Sequence, residues 1–190
     1  WSSDVCSSDL VEIKIRHKDN CSPRVLNPEV LKPQSTFEAK AIKMEKGGNL
    51  KWVTIKESGS LPFVVEQFKW NKWVKAGEVE GIGTQGPNEY VFQVNLHSGE
   101  NKFRVKQVDF TKKPRYSKEL KFRSNTPEVT FSPSKPVNEI EFSAETCFEI
   151  YDVHGTLIQK GDGKRVNIAS LPKGEYFLNY DSKTETFKKK

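Results

Sequence analysis

Cysteine is scarce in this chain, three in 190 residues at positions 6, 21 and 147. Neither Cys21 nor Cys147 has a second Cys or a His at zinc-site spacing, so nothing reads as a structural zinc site or a disulfide framework; the two either pair with each other or stand as separate thiols. Histidine is as rare. His17, His97 and His154 are isolated beside polar turns, with no Ser, Cys or carboxylate arranged as a triad, and read as solvated loop residues. No apolar run approaches the ~20 residues that span a bilayer, so no transmembrane segment is expected. No acid and base pair can be picked out among the carboxylates, because alternation puts most of them on solvent faces. With neither a nucleophile motif nor a metal or cofactor motif, the chain reads as no enzyme, and no cofactor is expected.

What is present is a series of short, alternating apolar runs separated by turn residues. Val11–Arg16 alternates strictly, and Pro23, Pro28 and Pro33 then make an extended leader that excludes a helix. Residues 37–42, 50–55, 63–68, 73–79, 90–96, 103–108 and 118–122 read as strands. Seven strands in about 85 residues is the count of an immunoglobulin-like sandwich. Beyond Ser124-Asn-Thr-Pro127 the same pattern resumes: Phe148–Val153, a turn at His154-Gly155, Thr156–Ile158, a glycine turn at Lys160–Lys164, a further turn at Leu171–Gly174, then Glu175–Tyr180 and Thr184–Lys188. Phe148, Ile150, Leu157, Ile168, Tyr176 and Leu178 are its core candidates. The expected fold class is therefore all-β, two tandem antiparallel β-sandwiches, the second smaller than the first.

Gly81-Ile-Gly-Thr-Gln-Gly86 fits the dinucleotide pattern G-x-G-x-x-G, but Pro87-Asn-Glu and a strand at Tyr90 follow it. No helix N-terminus is there to meet a pyrophosphate, so the run reads as a glycine-rich strand connection. Charge is uneven. Of the 31 Lys and Arg and 25 Asp and Glu, residues 11–125 hold 22 and 13, a net of +9, while residues 126–190 hold 9 and 10. On the strand around Phe103 the alternating Lys102, Arg104 and Lys106 share a face, and Lys121 and Arg123 are expected beside them as a candidate anion-binding face. The ordinary alternative is a solvated face partly neutralised by Glu66 and Glu119. Without a reader motif, nucleic acid is not an expected partner.

Three resemblances organise these observations. Residues 1–10, Trp-Ser-Ser-Asp-Val-Cys-Ser-Ser-Asp-Leu, resemble a translated sequencing adapter of the kind found at the ends of metagenomic fragments, and are set aside as a non-native scar. Residues 11–36 then stand as a strand and Pro-rich leader, the expected end of a truncated upstream domain. Residues 37–124, with Trp52-Val-Thr, Phe63-Val-Val-Glu66 and Asn101-Lys-Phe-Arg-Val-Lys-Gln-Val-Asp109, resemble the fibronectin type III-like modules that precede sorting domains.

Residues 128–190 resemble the C-terminal sorting domain of the Bacteroidetes type IX secretion system. The matching positions are Tyr151-Asp152, Gly155, Leu171, Gly174, Tyr176 and the terminal Lys188, Lys189 and Lys190; Phe131-Ser-Pro-Ser-Lys-Pro136 departs from the usual aromatic-Pro-Asn-Pro opening. The resemblance implies recognition by the type IX translocon and its sortase after passage through the periplasm. It also implies a secreted or outer-membrane surface location, the first module serving as spacer or adhesin. Two other readings of the whole protein remain open: the tail of a secreted hydrolase, and a module binding an anionic surface polysaccharide.

Overall fold

The computed structural model describes residues 32–190, so the adapter-like decapeptide, the strand at Val11–Arg16, Pro23, Pro28, His17 and Cys21 lie outside the described residues. Cys147 is a free, partly exposed thiol. The described chain is all-β and its sheets are antiparallel wherever the pairing is resolved, with a single 3-10 turn at Lys46–Gly48 and no α-helix.

Strands β1 (Glu38–Glu45), β2 (Asn49–Ile55) and β5 (Asn88–Gln93) form one sheet in the order β1-β2-β5. Strands β3 (Phe63–Lys69), β4 (Lys72–Val79), β6 (Gly99–Val108), β7 (Pro114–Tyr116) and β8 (Leu120–Ser124) form another, ordered β4-β3-β6-β7 with β8 also on β6. The last expected strand, 118–122, corresponds to β8, and the short β7 before it was not expected. Pro114 suits the edge position of β7, where a missing N–H costs no ladder bond.

By spatial proximity the chain forms two compact units. The first comprises residues up to Glu66, Lys75–Val94 and Arg104–Leu120; the second comprises Gln67–Val74, Asn95–Phe103 and Lys121–Lys190. The core of the first unit is aromatic. Leu50, Trp52 and Thr54 alternate inward along β2. Trp52 stacks on Tyr90 at 5.2 Å, and Phe63 stands edge-on to Phe37 at 5.0 Å. Rings in these offset and edge-on geometries add to the stabilisation that their burial already supplies.

The second unit is built on β9 (Phe131–Ser132), β10 (Glu139–Tyr151), β11 (Leu157–Asn167), β12 (Gly174–Tyr180) and β13 (Lys183–Lys189), in the order β11-β10-β12-β13 with β9 on β10. The register of β10 and β11 shifts between Glu141 and Thr146. The early part of β10 then pairs with β9 through Glu141 and Phe142, and its late part pairs with β12 from Phe148 to Tyr151. Ile140, Phe142, Phe148, Ile150, Val166, Ile168, Tyr176, Leu178, Tyr180 and Phe187 close over a common core, with Leu171 packed against it.

Three sequence expectations change here. Lys160–Lys164 is no turn, because β11 runs straight through it. Gly161 serves close approach instead, since a Cβ there would stand 3.1 Å from the Phe148 ring, and Gly163 takes a φ of +142° that a side chain rarely adopts. Leu157 is not core but 42% exposed. The irregularity between Ile150 and Tyr151 pairs Leu157 with Tyr151, and a one-residue change of phase moves a side chain to the other face. His97, expected to be solvated, is buried and donates Nδ1–H to the Ser98 carbonyl at 2.7 Å.

Candidate functional site

The positions singled out in residues 128–190 build turns and the closing strand. Asp152 Oδ1 accepts the N–H groups of His154 and Thr156, each at 2.8 Å, and the Asp152 N–H donates to the Thr156 carbonyl at 3.0 Å. The Thr156 amide, then that of His154, holds this carboxyl below its usual range. An Asp that bonds the backbone two residues on is a common way to close a turn. Gly155 supplies the left-handed residue, with φ +79°.

Tyr176 is buried, stacks on Phe187 at 5.4 Å, and donates its hydroxyl to the Pro172 carbonyl at 2.9 Å. That bond closes the loop in which Leu171 packs. Gly174 opens β12 opposite Lys189. Its φ is not positive, and a Cβ there would meet only Tyr176 at 3.9 Å, so the turn does not require a left-handed residue at this position.

The three terminal lysines are not equivalent. Lys188 is exposed, whereas Lys189 is 6% exposed and donates Nζ–H to the Val137 carbonyl. The Lys190 N–H donates to the Pro136 carbonyl at 3.2 Å. Ladder pairing continues through Lys189, so its side chain falls on the inner face with Phe187, and only Lys188 and Lys190 of the three are exposed.

Tyr151 ends β10 and donates its hydroxyl to Glu149 Oε2 at 2.7 Å. Lys72 donates to the same Glu149 oxygen at 2.7 Å and to the Tyr151 oxygen at 2.9 Å, and Asn179 reaches Glu149 at 3.3 Å. Burial pushes the Glu149 carboxyl up, but the bonds from Lys72, Tyr151 and Asn179 outweigh it and leave the group below its ordinary value. On the edge strand β13 Lys183 donates to Glu128 at 2.7 Å. Tyr180 is pushed up to about 12, by burial first and then by its bond to Glu185.

Along β6 the expected alternation holds, with Asn101, Phe103, Val105 and Gln107 inside and Lys102, Arg104 and Lys106 partly exposed. In the first unit Glu66, 6% exposed, takes Arg104 Nε at 2.7 Å and Lys106 Nζ at 2.6 Å. Burial raises the Glu66 carboxyl, and the two cations more than offset it. In the second unit Lys102 lies 3.8 Å from Glu100, while Lys121 and Arg123 are exposed on β8.

A buried carboxyl that sequence reasoning passed over holds the glycine-rich connection. Glu57, 1% exposed, accepts the Tyr90 hydroxyl at 2.8 Å to each oxygen, the Gly83 N–H at 2.7 Å, and the Thr54 hydroxyl. A Cβ on Gly81 would lie 2.2 Å from the Leu61 oxygen, and one on Gly83 2.5 Å from the Gly59 carbonyl carbon. The G-x-G spacing thus fits a close-packed loop, and strand β5 follows it directly.

Residues 132–190 match the family model described as the secretion system C-terminal sorting domain. The match identifies this segment as a type IX sorting domain, which implies export to the cell surface or the medium. No curated protein matches. Among solved structures the chain is similar to the BSP domain of a biofilm associated protein, at 10% identity and a TM-score of 0.33, covering 80% of this chain and 29% of that one. It is similar to the central fibronectin-III array of RIM-binding protein, at 10% identity and 0.29, covering 83% and 68%. It is also similar to the FN1–FN3 domains of chicken CNTN1, at 11% identity and 0.31, covering 80% and 66%.

Proposed function

We propose that the type IX translocon and its sortase read residues 128–190 as a folded signal, and that residues 37–124 are a fibronectin type III-like spacer or adhesive module without catalytic function. The observation that carries the reading is the agreement between the matched segment and the geometry of its motif positions. Tyr151, Asp152, Gly155, Leu171, Gly174 and Tyr176 stand in or beside the turns of one five-stranded sheet, and Lys188 to Lys190 end its last strand.

A polysaccharide-binding role for Lys102, Arg104, Lys106, Lys121 and Arg123 has less support, because Glu66 already engages Arg104 and Lys106. The test is to place the 190-residue chain behind a signal peptide and a fluorescent passenger in a host with an active type IX system, and compare it with a version lacking residues 186–190. That deletion removes Phe187 and Lys189 from the closing strand. The intact fusion is expected at the surface or in the medium and the shortened one in the periplasm; equal delivery of both would remove the terminal strand from the signal.

A further inference from the structure

Within the second unit, two anchors tie mid-chain residues to the sorting domain. The first is the tip of the β3–β4 hairpin. Its turn residues Trp70 and Asn71 have φ +54° and +58°, a tight left-handed pair ordinarily given to Asn and Gly, and uncommon for a bulky side chain. The turn delivers Lys72 to Glu149 and Tyr151, with its ammonium 5.4 Å from the Tyr151 ring and 5.8 Å from the Trp70 ring.

The second anchor is Asp181, 4% exposed in the β12–β13 turn with φ +47°. Its carboxyl accepts the Ser98 N–H at 2.8 Å, the Ser98 hydroxyl at 2.5 Å and the Val129 N–H at 3.3 Å, while its own N–H donates to Thr146 Oγ1 at 3.0 Å. The loop carrying Ser98 is itself held in shape. Asn101 accepts from the His97 N–H at 3.2 Å and donates to the His97 carbonyl at 2.9 Å, and Gln67 donates to Asn101 at 2.8 Å. A buried carboxyl needs donors, and two of the three that Asp181 has come from a residue 83 positions earlier.

We propose that the folded export signal is larger than the matched segment, with Gln67–Val74 and Asn95–Phe103 as structural parts of it, plugged into Glu149 and Asp181. The sorting domain thereby carries a docking surface whose occupant is this chain's own hairpin tip and the loop before β6. The proposal takes residues 132–190 as the export signal, but its test reads coupling in the purified chain, so it stands or falls separately from export.

The experiment is a double-mutant cycle on the 190-residue chain with Ser98→Ala and Asp181→Asn, followed by denaturant unfolding and amide hydrogen exchange. Each single substitution is expected to lower the folding equilibrium constant of the second unit about tenfold, with the double variant no worse than the poorer single one. Ser98→Ala is also expected to speed exchange across residues 121–190, where no residue has been changed. If Asp181→Asn does not fold, exchange in Ser98→Ala decides alone. Additive effects in the cycle, or unchanged exchange across residues 121–190 in Ser98→Ala, would overturn the proposal.

Discussion

Replacing Glu57 by alanine strips one acceptor from three donors at once, two of them buried and one part-buried. The Tyr90 hydroxyl, the Thr54 hydroxyl and the Gly83 N–H all end on this carboxyl. A buried donor left unsatisfied costs about 1–3 kcal/mol. The two hydroxyls can turn toward other acceptors but the Gly83 amide cannot, so the loss is about 3–5 kcal/mol, a large share of the ~5–15 kcal/mol that holds a domain folded. For a unit of this size each kcal/mol moves the melting temperature by roughly 4–8 °C, so a fall of about 15 °C or more is expected. Glu57→Gln keeps the shape and one acceptor and is expected to lose about 1–2 kcal/mol. The assay is thermal unfolding by near-ultraviolet circular dichroism, which reports the stacked Trp52 and Tyr90 rings. A loss under about 0.5 kcal/mol in Glu57→Ala, the range of an ordinary surface change, would refute the reasoning that this carboxyl organises the loop.

Gly155→Ala is expected to cost about 1–2 kcal/mol because the position is left-handed, whereas Gly174→Ala costs under about 0.5 kcal/mol; denaturant midpoints rank the two. Glu149 and Glu66 both have folded-state values below their unfolded ones, so the stability they add is present above the unfolded carboxylate value near 4.3 and is lost as pH falls through the folded value. Stability is therefore expected to drop below about pH 4.5, and the drop is shallower in Glu149→Gln than in the parent when unfolding is measured from pH 7 to 3. Lys189→Met keeps the apolar stem and leaves the Val137 carbonyl without its donor, costing about 1–2 kcal/mol in the same assay, while Lys188→Met is near neutral.

The strands were legible wherever one face is buried and the other wet. Leu50, Trp52 and Thr54 alternate with half-exposed neighbours, as do Phe103, Val105 and Gln107, and period-two patterning needs nothing more. The glycine-rich run at 81–86 was also legible as a connection, since a strand and not a helix follows it. Lys160–Lys164 misled because glycines that admit the Phe148 ring look in sequence like glycines that turn a chain. Leu157 misled because an irregularity in register carries no sequence mark. At the candidate site the turn at Asp152–Gly155 could be read from local chemistry. By contrast, burial of Asp181 and Lys189 depends on donors and acceptors from far along the chain, which no local pattern announces.

The central claim, that residues 132–190 address the chain for export, is tested most directly by where a passenger ends up. The passenger fused to the 190-residue chain, and to the chain ending at residue 131, would be quantified at the surface, in the medium and in the periplasm, in a type IX-competent host and in the same host with its translocon inactivated. The account expects surface or medium delivery only for the 190-residue chain in the competent host. Delivery that persists without residues 132–190, or without the translocon, would contradict it.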